Sequence, residues 1–248
     1  MTSSTRLAPA KLTISLAVVG VRSDGYHLID AEMVGLNLAD SITIADADQT
    51  SIAVSGPYAH GVPTDESNLC ARAIASIGRS AAISIHKEIP HGGGLGGGST
   101  DAAAVLRWAG VDDPAVAVSI GADVAFCLHG GRARVTGIGE IIEPLTHLDR
   151  TFTLVIPPLH VSTPAVYRAW DDLGGPNGSG PNDLESAALV VEPQLIRWRD
   201  RIHELTGLRP VLAGSGATWF VEGVRDDALA DLVDEGAQVQ LTHTVDRW

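Results

Sequence analysis

The chain has 248 residues, 45% of them hydrophobic, and carries a formal net charge of −13. That length holds one large domain or two modest ones with a substantial core. The acidic balance argues against a nucleic-acid or anionic-membrane surface, but not against a phosphate-bearing small molecule held by backbone groups.

No run approaches the length of a membrane span, and the first residues lack the apolar core of a signal peptide, so a soluble, cytoplasmic protein is expected. Cys70 and Cys127 are the only cysteines, too few for a disulfide framework. His203-Glu204 opens a zincin-like string, but Gly207 stands where the second histidine ligand belongs. No metal cluster made by the protein itself is expected.

In chain order, Ala10 to Val18 alternates apolar Leu12, Ile14 and Leu16 with polar Lys11, Thr13 and Ser15, the period of a half-buried strand. Asp24-Gly25 marks a turn, followed by Tyr26-His27 and a strand through Met33–Leu36. Ser41–Ile44 and Ser51–Val54 read as a further strand pair. Asp65-Glu66-Ser67-Asn68 starts a helix that Gly78 stops. Ala82–His86 is a strand, and an alanine-rich helix is expected directly after Ser99-Thr100-Asp101. A short helix over 115–119 leads to Gly121-Ala122-Asp123-Val124, and residues 132–145 read as two strands around Gly137-Ile138-Gly139.

After Asp149-Arg150 the pattern restarts. Residues 152–156 form a strand, 164–173 a helix, 174–181 a glycine-rich loop, and 182–205 a helical stretch interrupted at Pro193. Two short strands flank Gly214-Ser215-Gly216, then a helix over 226–233 and a last strand over 239–245. This order is close to a split β-α-β layout. The expectation is an α+β protein of two halves, residues 1–149 and 150–248.

The stretch that points to chemistry is Pro90-His91-Gly92-Gly93-Gly94-Leu95-Gly96-Gly97-Gly98-Ser99-Thr100-Asp101, between the strand at 82–86 and the alanine-rich helix. Bare N–H groups beside a helix N-terminus make an anion site, and phosphate is its usual occupant. Gly92-x-Gly94-x-x-Gly97 formally satisfies the dinucleotide fingerprint. However, residues 87–91 separate the strand from the glycines, and no clear second strand ends in an acid for the ribose. Gly93-x-x-x-x-Gly98-Ser99-Thr100 resembles a Walker A loop with Ser99 in the lysine position, which argues against that class. A flexible linker is disfavoured by the flanking strand and helix. Lys11 and Lys87 are the only lysines among otherwise arginine bases, so their compact heads stand out.

Taken together, Pro9-Ala10-Lys11, Arg22-x-Asp24-Gly25-Tyr26-His27, the glycine loop with Ser99-Thr100-Asp101-Ala102-Ala103, Gly121-Ala122-Asp123-Val124 and Gly214-Ser215-Gly216-Ala217 resemble the GHMP kinases over most of the chain. The resemblance is strongest to the branch whose substrate is a cytidine-diphosphate-linked methylerythritol. It implies a two-domain fold, with an N-terminal half of the ribosomal protein S5 domain 2 type and a ferredoxin-like C-terminal half. It implies phosphoryl transfer from ATP to the 2-hydroxyl of that substrate, with Mg²⁺ carried by the nucleotide near Ser99. Asp123 matches the family's general base and Lys11 the lysine beside base and hydroxyl.

Pro90, Gly92, Gly93, Gly94, Leu95, Gly96, Gly97, Gly98, Ser99, Thr100 and Asn68 are the implied ATP contacts. Thr13, Tyr26, His27, Tyr167, Asp183, Gly214 and Ser215 are the implied substrate contacts. Tyr26 and Tyr167 would stack on cytosine while His27 reads its edge. Helix capping competes as the role of Asn68 and Asp183. Four features depart from the family: Thr13 replaces a usual asparagine, Ala125 a usual proline, His91 an apolar residue, and the segment 107–120 is short. The alternatives are a GHMP kinase for a mevalonate- or homoserine-type alcohol, and a silent nucleotide-binding member. The partners implied are ATP and a small molecule, with a monomer or weak homodimer as the assembly.

Overall fold

The computed structural model describes residues 3–175 and 180–247. Part of the glycine-rich loop expected at 174–181 therefore lies outside the described residues. The chain opens with two long antiparallel strands, β1 (Ser4–Val21) and β2 (His27–Asp46), joined by the turn at Asp24-Gly25. The sequence suggested shorter strands, and β2 joins two that the polar Asp40 divides. Asp40 is fully buried within β2, where Lys87 and the N–H groups of Glu88 and Ile89 satisfy it. A tertiary partner thus removes what looked like a break.

Three further strands follow: β3 (Ser51–Ser55), β4 (Ala81–His86) and β5 (Arg132–Gly137), with β6 (Ile141–Pro144) paired on β5. The segments 41–44 and 51–54 are not paired with each other: β4 lies between them, antiparallel to β2 and parallel to β3. Against this sheet pack α1 (Leu69–Ser76), α2 (Gly97–Trp108), α3 (Pro114–Ile120) and α4 (Ala122–His129). Residues 102–106 of α2 are all buried, because alanine lets neighbouring elements approach closely.

The second half runs β7 (Thr151–Ile156), α5 (Thr163–Asp172), α6 (Glu185–Val191), α7 (Gln194–Thr206), β8 (Val211–Leu212), β9 (Trp219–Glu222), α8 (Asp231–Asp234) and β10 (Gln238–Val245). Its strands lie in the order β10-β7-β9-β8, the fourth-first-third-second arrangement of a ferredoxin-like sheet. The helix expected over 226–233 shrinks to α8, with turns before it. β10 also pairs with β2 through Thr244–Leu36 and Val245–Gly35, so both halves share one ten-stranded network.

A second apolar cluster fills the seam. Ala10, Leu12, Val34 and Leu36 from the first half meet Phe152, Leu154, Ala213 and Phe220 from the second. Leu95, the one residue interrupting the glycine run, is fully buried in this cluster. Burying a leucine contributes about 1.5–3 kcal/mol, so the loop is anchored at its midpoint.

Candidate active site

The glycine loop sits between two surfaces. On one side it meets the turn at 213–216: a Cβ on Gly94 would lie 2.1 Å from the Ala213 carbonyl oxygen, and one on Gly216 would lie 2.1 Å from the Gly94 nitrogen. Backbone packs on backbone there, which only glycine permits. On the other side the loop meets β1. The register of β1 against β2 slips between Pro9 and Lys11, and the Lys11 N–H donates instead to the Leu95 carbonyl at 3.0 Å. Such a bulge re-aims the side chain that follows it.

The helix after the loop begins two residues before Ser99, not after Asp101. Its N-cap is Gly96, in the left-handed conformation at φ 70° and with no side-chain cap. Ser99 and Thr100 looked like capping residues, but the loop closes through Gly96, whose φ a serine or threonine rarely adopts. The first intrahelical bond runs from the Thr100 N–H to the Gly96 carbonyl at 2.8 Å. The N–H groups of Gly97, Gly98 and Ser99 therefore have no partner in their own helix and can receive an anion.

Asp123 also differs from expectation. It does not end a short helix but lies in the first turn of α4, where a carboxylate suits the positive end of the helix. Its Oδ2 is 3.2 Å from Lys11 Nζ, and that ammonium donates to Thr13 Oγ1 at 3.1 Å. Lys11 is buried, while the Asp123 side chain is 37% exposed and so open to a substrate. Lys11, Thr13, Asp123 and Gly97–Ser99 line one cleft of about 470 Å³. Pro90, Gly92–Gly96, Asn68, His27, Tyr167, Gly214 and Ser215 line it as well.

Asn68 serves two roles, since it lines the cleft and also caps α1, with Oδ1 accepting from the Cys70 N–H at 2.8 Å. Three expected residues fall outside. Thr100 is fully buried and does not line the cleft. Asp183 does not line it either and accepts from the Val18 N–H at 2.9 Å. Tyr26 is 57% exposed at the hairpin tip, 5.3 Å from the Arg22 guanidinium.

His27 does point inward. Its ring lies 4.7 Å from that of Tyr167, and its Nε2 pairs with Asp171 Oδ1 at 2.8 Å. Burial, with Asp123 nearby, pushes the Tyr167 hydroxyl up to about 12, so it stays a neutral donor. Sequence reasoning missed the residues that hold others in place. Asn182 Nδ2 donates to the Leu212 and Gly214 carbonyls at 2.9 and 2.7 Å and so fixes the turn against the loop. Its neighbour Asp183 drew attention instead, and no local pattern separates the two. His160 packs against Gly92 and stacks on His91 at 5.7 Å.

Lys87 is buried between Asp40 and Asp101, the latter at 2.7 Å. Burial opposes the Lys87 charge, but Asp101 and Asp40 outweigh it and raise its pKa. Burial pushes the Asp101 carboxyl upward.

The family model for the GHMP kinase N-terminal domain matches residues 68–111, which span α1, the glycine loop and α2. The chain is 38% identical to the 4-diphosphocytidyl-2-C-methyl-D-erythritol kinase of a Jannaschia species, covering 86% of each chain. It is 37% identical to the enzyme of the same name from Paramagnetospirillum magneticum, covering 89% of each. Among solved structures it superposes on a 4-(cytidine 5'-diphospho)-2C-methyl-D-erythritol kinase with a TM-score of 0.75 and 31% identity, covering 98% of this chain and 100% of that one. With relatives of this likeness along most of its length, the chain belongs to the 4-diphosphocytidyl-2-C-methyl-D-erythritol kinase family.

Proposed function

We infer that the protein is an ATP-dependent kinase that phosphorylates the 2-hydroxyl of 4-diphosphocytidyl-2-C-methyl-D-erythritol, a step of non-mevalonate isoprenoid precursor biosynthesis. One observation carries the residue assignments: the uncapped N-terminus of α2 and the Lys11–Asp123 pair open into the same cleft. Phosphoryl transfer needs positioning and charge stabilisation more than covalent chemistry, and these two features supply both.

In this reading the polyphosphate of ATP lies on Gly92–Ser99 and Asn68 lines the nucleotide end. Asp123 accepts the proton of the attacking hydroxyl. Lys11, held by Thr13 and Asp123, meets the charge that develops on the transferred group. Among the described residues no cluster of three His, Cys, Asp or Glu side chains could hold a metal. The Ser99 hydroxyl, an oxygen donor lining the cleft, fits Mg²⁺ arriving on the phosphates, where the ion would neutralise charge.

The N-terminal half, residues 1–149, supplies the loop and the reacting pair. The half at 150–248 supplies Tyr167 and the Gly214-Ser215 turn. The reading also includes a cytoplasmic setting and a monomer or weak homodimer. Among the described residues no helix is long and apolar enough to cross a membrane.

The cytosine end is assigned to Tyr167 and His27. Stacking on an aromatic is worth about 1–3 kcal/mol per base, so Tyr167→Ala raises the KM for the cytidyl substrate roughly 5- to 160-fold and leaves that for ATP nearly as it was. Tyr26→Ala has a smaller effect, because Tyr26 stands outside the cleft. A Tyr26 effect as large as that of Tyr167 would show that the hairpin tip closes over the base. The reaction itself is tested by steady-state phosphorylation of cytidyl and uridyl substrates, mevalonate and homoserine. Equal use of the uridyl form, or efficient use of a small alcohol, overturns the substrate assignment.

A further inference from the structure

The two lysines of this chain are both buried against adjacent glycines of one loop. A Cβ on Gly96 would lie 2.7 Å from Lys11 Cγ, and one on Gly97 would lie 3.1 Å from Lys87 Nζ. Lys11 already has a partner in Asp123. Lys87 lies behind the first turn of α2 with Asp40 of β2 and Asp101 of α2, so two carboxylates share one ammonium in a dry pocket. Asp40 Oδ1 accepts two backbone N–H groups, from Glu88 and Ile89. Asp101 Oδ1 is buried and has no hydrogen-bond partner among the described residues. Both Lys87 and Asp101 border the cleft. With Asp101 ionised, the cluster places surplus negative charge beside the N–H groups assigned to the polyphosphate; burial pushes that carboxyl upward, so the surplus grows as pH rises.

We propose that Lys87 is a positioning residue for the nucleotide: its ammonium cancels the field of Asp40 and Asp101 at the phosphate-binding end of α2 and ties that end to β2. The proposal rests on the glycine loop being the polyphosphate site. Removing the ammonium leaves two carboxylates facing an incoming anion in a region of low dielectric, where charges act strongly. Removing Asp101 while Lys87 remains does the opposite and makes the pocket neutral.

The test is ATP affinity by calorimetry and KM for wild type, Lys87→Met, Asp101→Asn and the double variant. Lys87→Met is expected to raise the KM for ATP about 10- to 100-fold, with a smaller change in kcat. Asp101→Asn is expected to tighten ATP about 3- to 10-fold, which no loss of packing would produce. The double variant is expected to bind ATP better than Lys87→Met alone. Where Lys87→Met does not fold, Asp101→Asn alone decides. ATP binding in Asp101→Asn that is unchanged or weaker overturns the proposal. So does a double variant no better than Lys87→Met, the result expected of direct contact between Lys87 and the nucleotide. A wild-type protein that binds no ATP overturns the phosphate-site assignment and this proposal with it.

Discussion

Asp123→Asn lowers turnover by about 10²–10⁴, the usual contribution of a positioned acid–base group, and leaves the fold in place. The two effects separate because little structure depends on this carboxylate. It lies in the first turn of α4, where the lost charge costs about 0.3–1 kcal/mol of helix-dipole stabilisation. Its ion pair with Lys11 joins a buried ammonium to a carboxylate that is 37% exposed, and the asparagine amide oxygen can still accept from that ammonium, which Thr13 Oγ1 also holds. For a chain of this size each kcal/mol moves the melting temperature by about 2–4 °C. The expected variant therefore melts within several degrees of wild type and is nearly inactive. Single-turnover kinetics with thermal melting checks both halves, and near wild-type turnover would remove Asp123 from the proposed mechanism.

The second large effect is expected from Gly94→Ala, with Gly25→Ala as its control. Both glycines have a positive φ, 79° and 86°, so each alanine carries a comparable backbone strain of about 1–3 kcal/mol. Only Gly94 also carries a clash: its Cβ would meet the Ala213 carbonyl oxygen at 2.1 Å and Gly216 Cα at 2.9 Å, whereas Gly25 has nothing within 4 Å. The loop must lift from the 213–216 turn, and the free N–H groups of α2 move with it. A displacement of about 1 Å at a reacting centre costs about 10²-fold, so kcat/KM for ATP is expected to fall by about that factor in Gly94→Ala. Gly25→Ala lowers only the melting temperature. Equal activity in the two variants would show that contact between the loop and the turn does not set the nucleotide geometry.

The strand, loop and α2 were legible because their signals are local: alternation in Ala82–His86, a run of glycines, then alanines. Lys11 was legible for a similar reason, as a rare residue on the polar face of a strand. What was hidden depends on distant partners. The division of β2 at Asp40 disappears only when Lys87 arrives from 47 residues away. α4 escaped notice because Val124, Ala125, Phe126 and Cys127 are all buried, which leaves no polar face to set a period. Tyr26 and His27 looked like one unit, but neighbouring positions entering a strand face opposite ways, so only His27 reaches the cleft. The start of α2 was misplaced because the chemistry of side-chain caps was read where a glycine backbone made the cap.

β2 pairs with β1, β4, β5 and β10, and the last of these is the final strand of the chain. The sheet therefore closes only when residues some two hundred positions apart have met, a high contact order that slows folding. It also couples the halves energetically. Neither can release its edge without exposing the shared apolar seam, so denaturant should unfold the protein in one transition rather than two. Amides of β2 and β10 should exchange with solvent only through that global event. A chain cut before Gln238 would leave β2 and β7 each with an open edge, and it should be recovered as aggregate rather than as a smaller active enzyme.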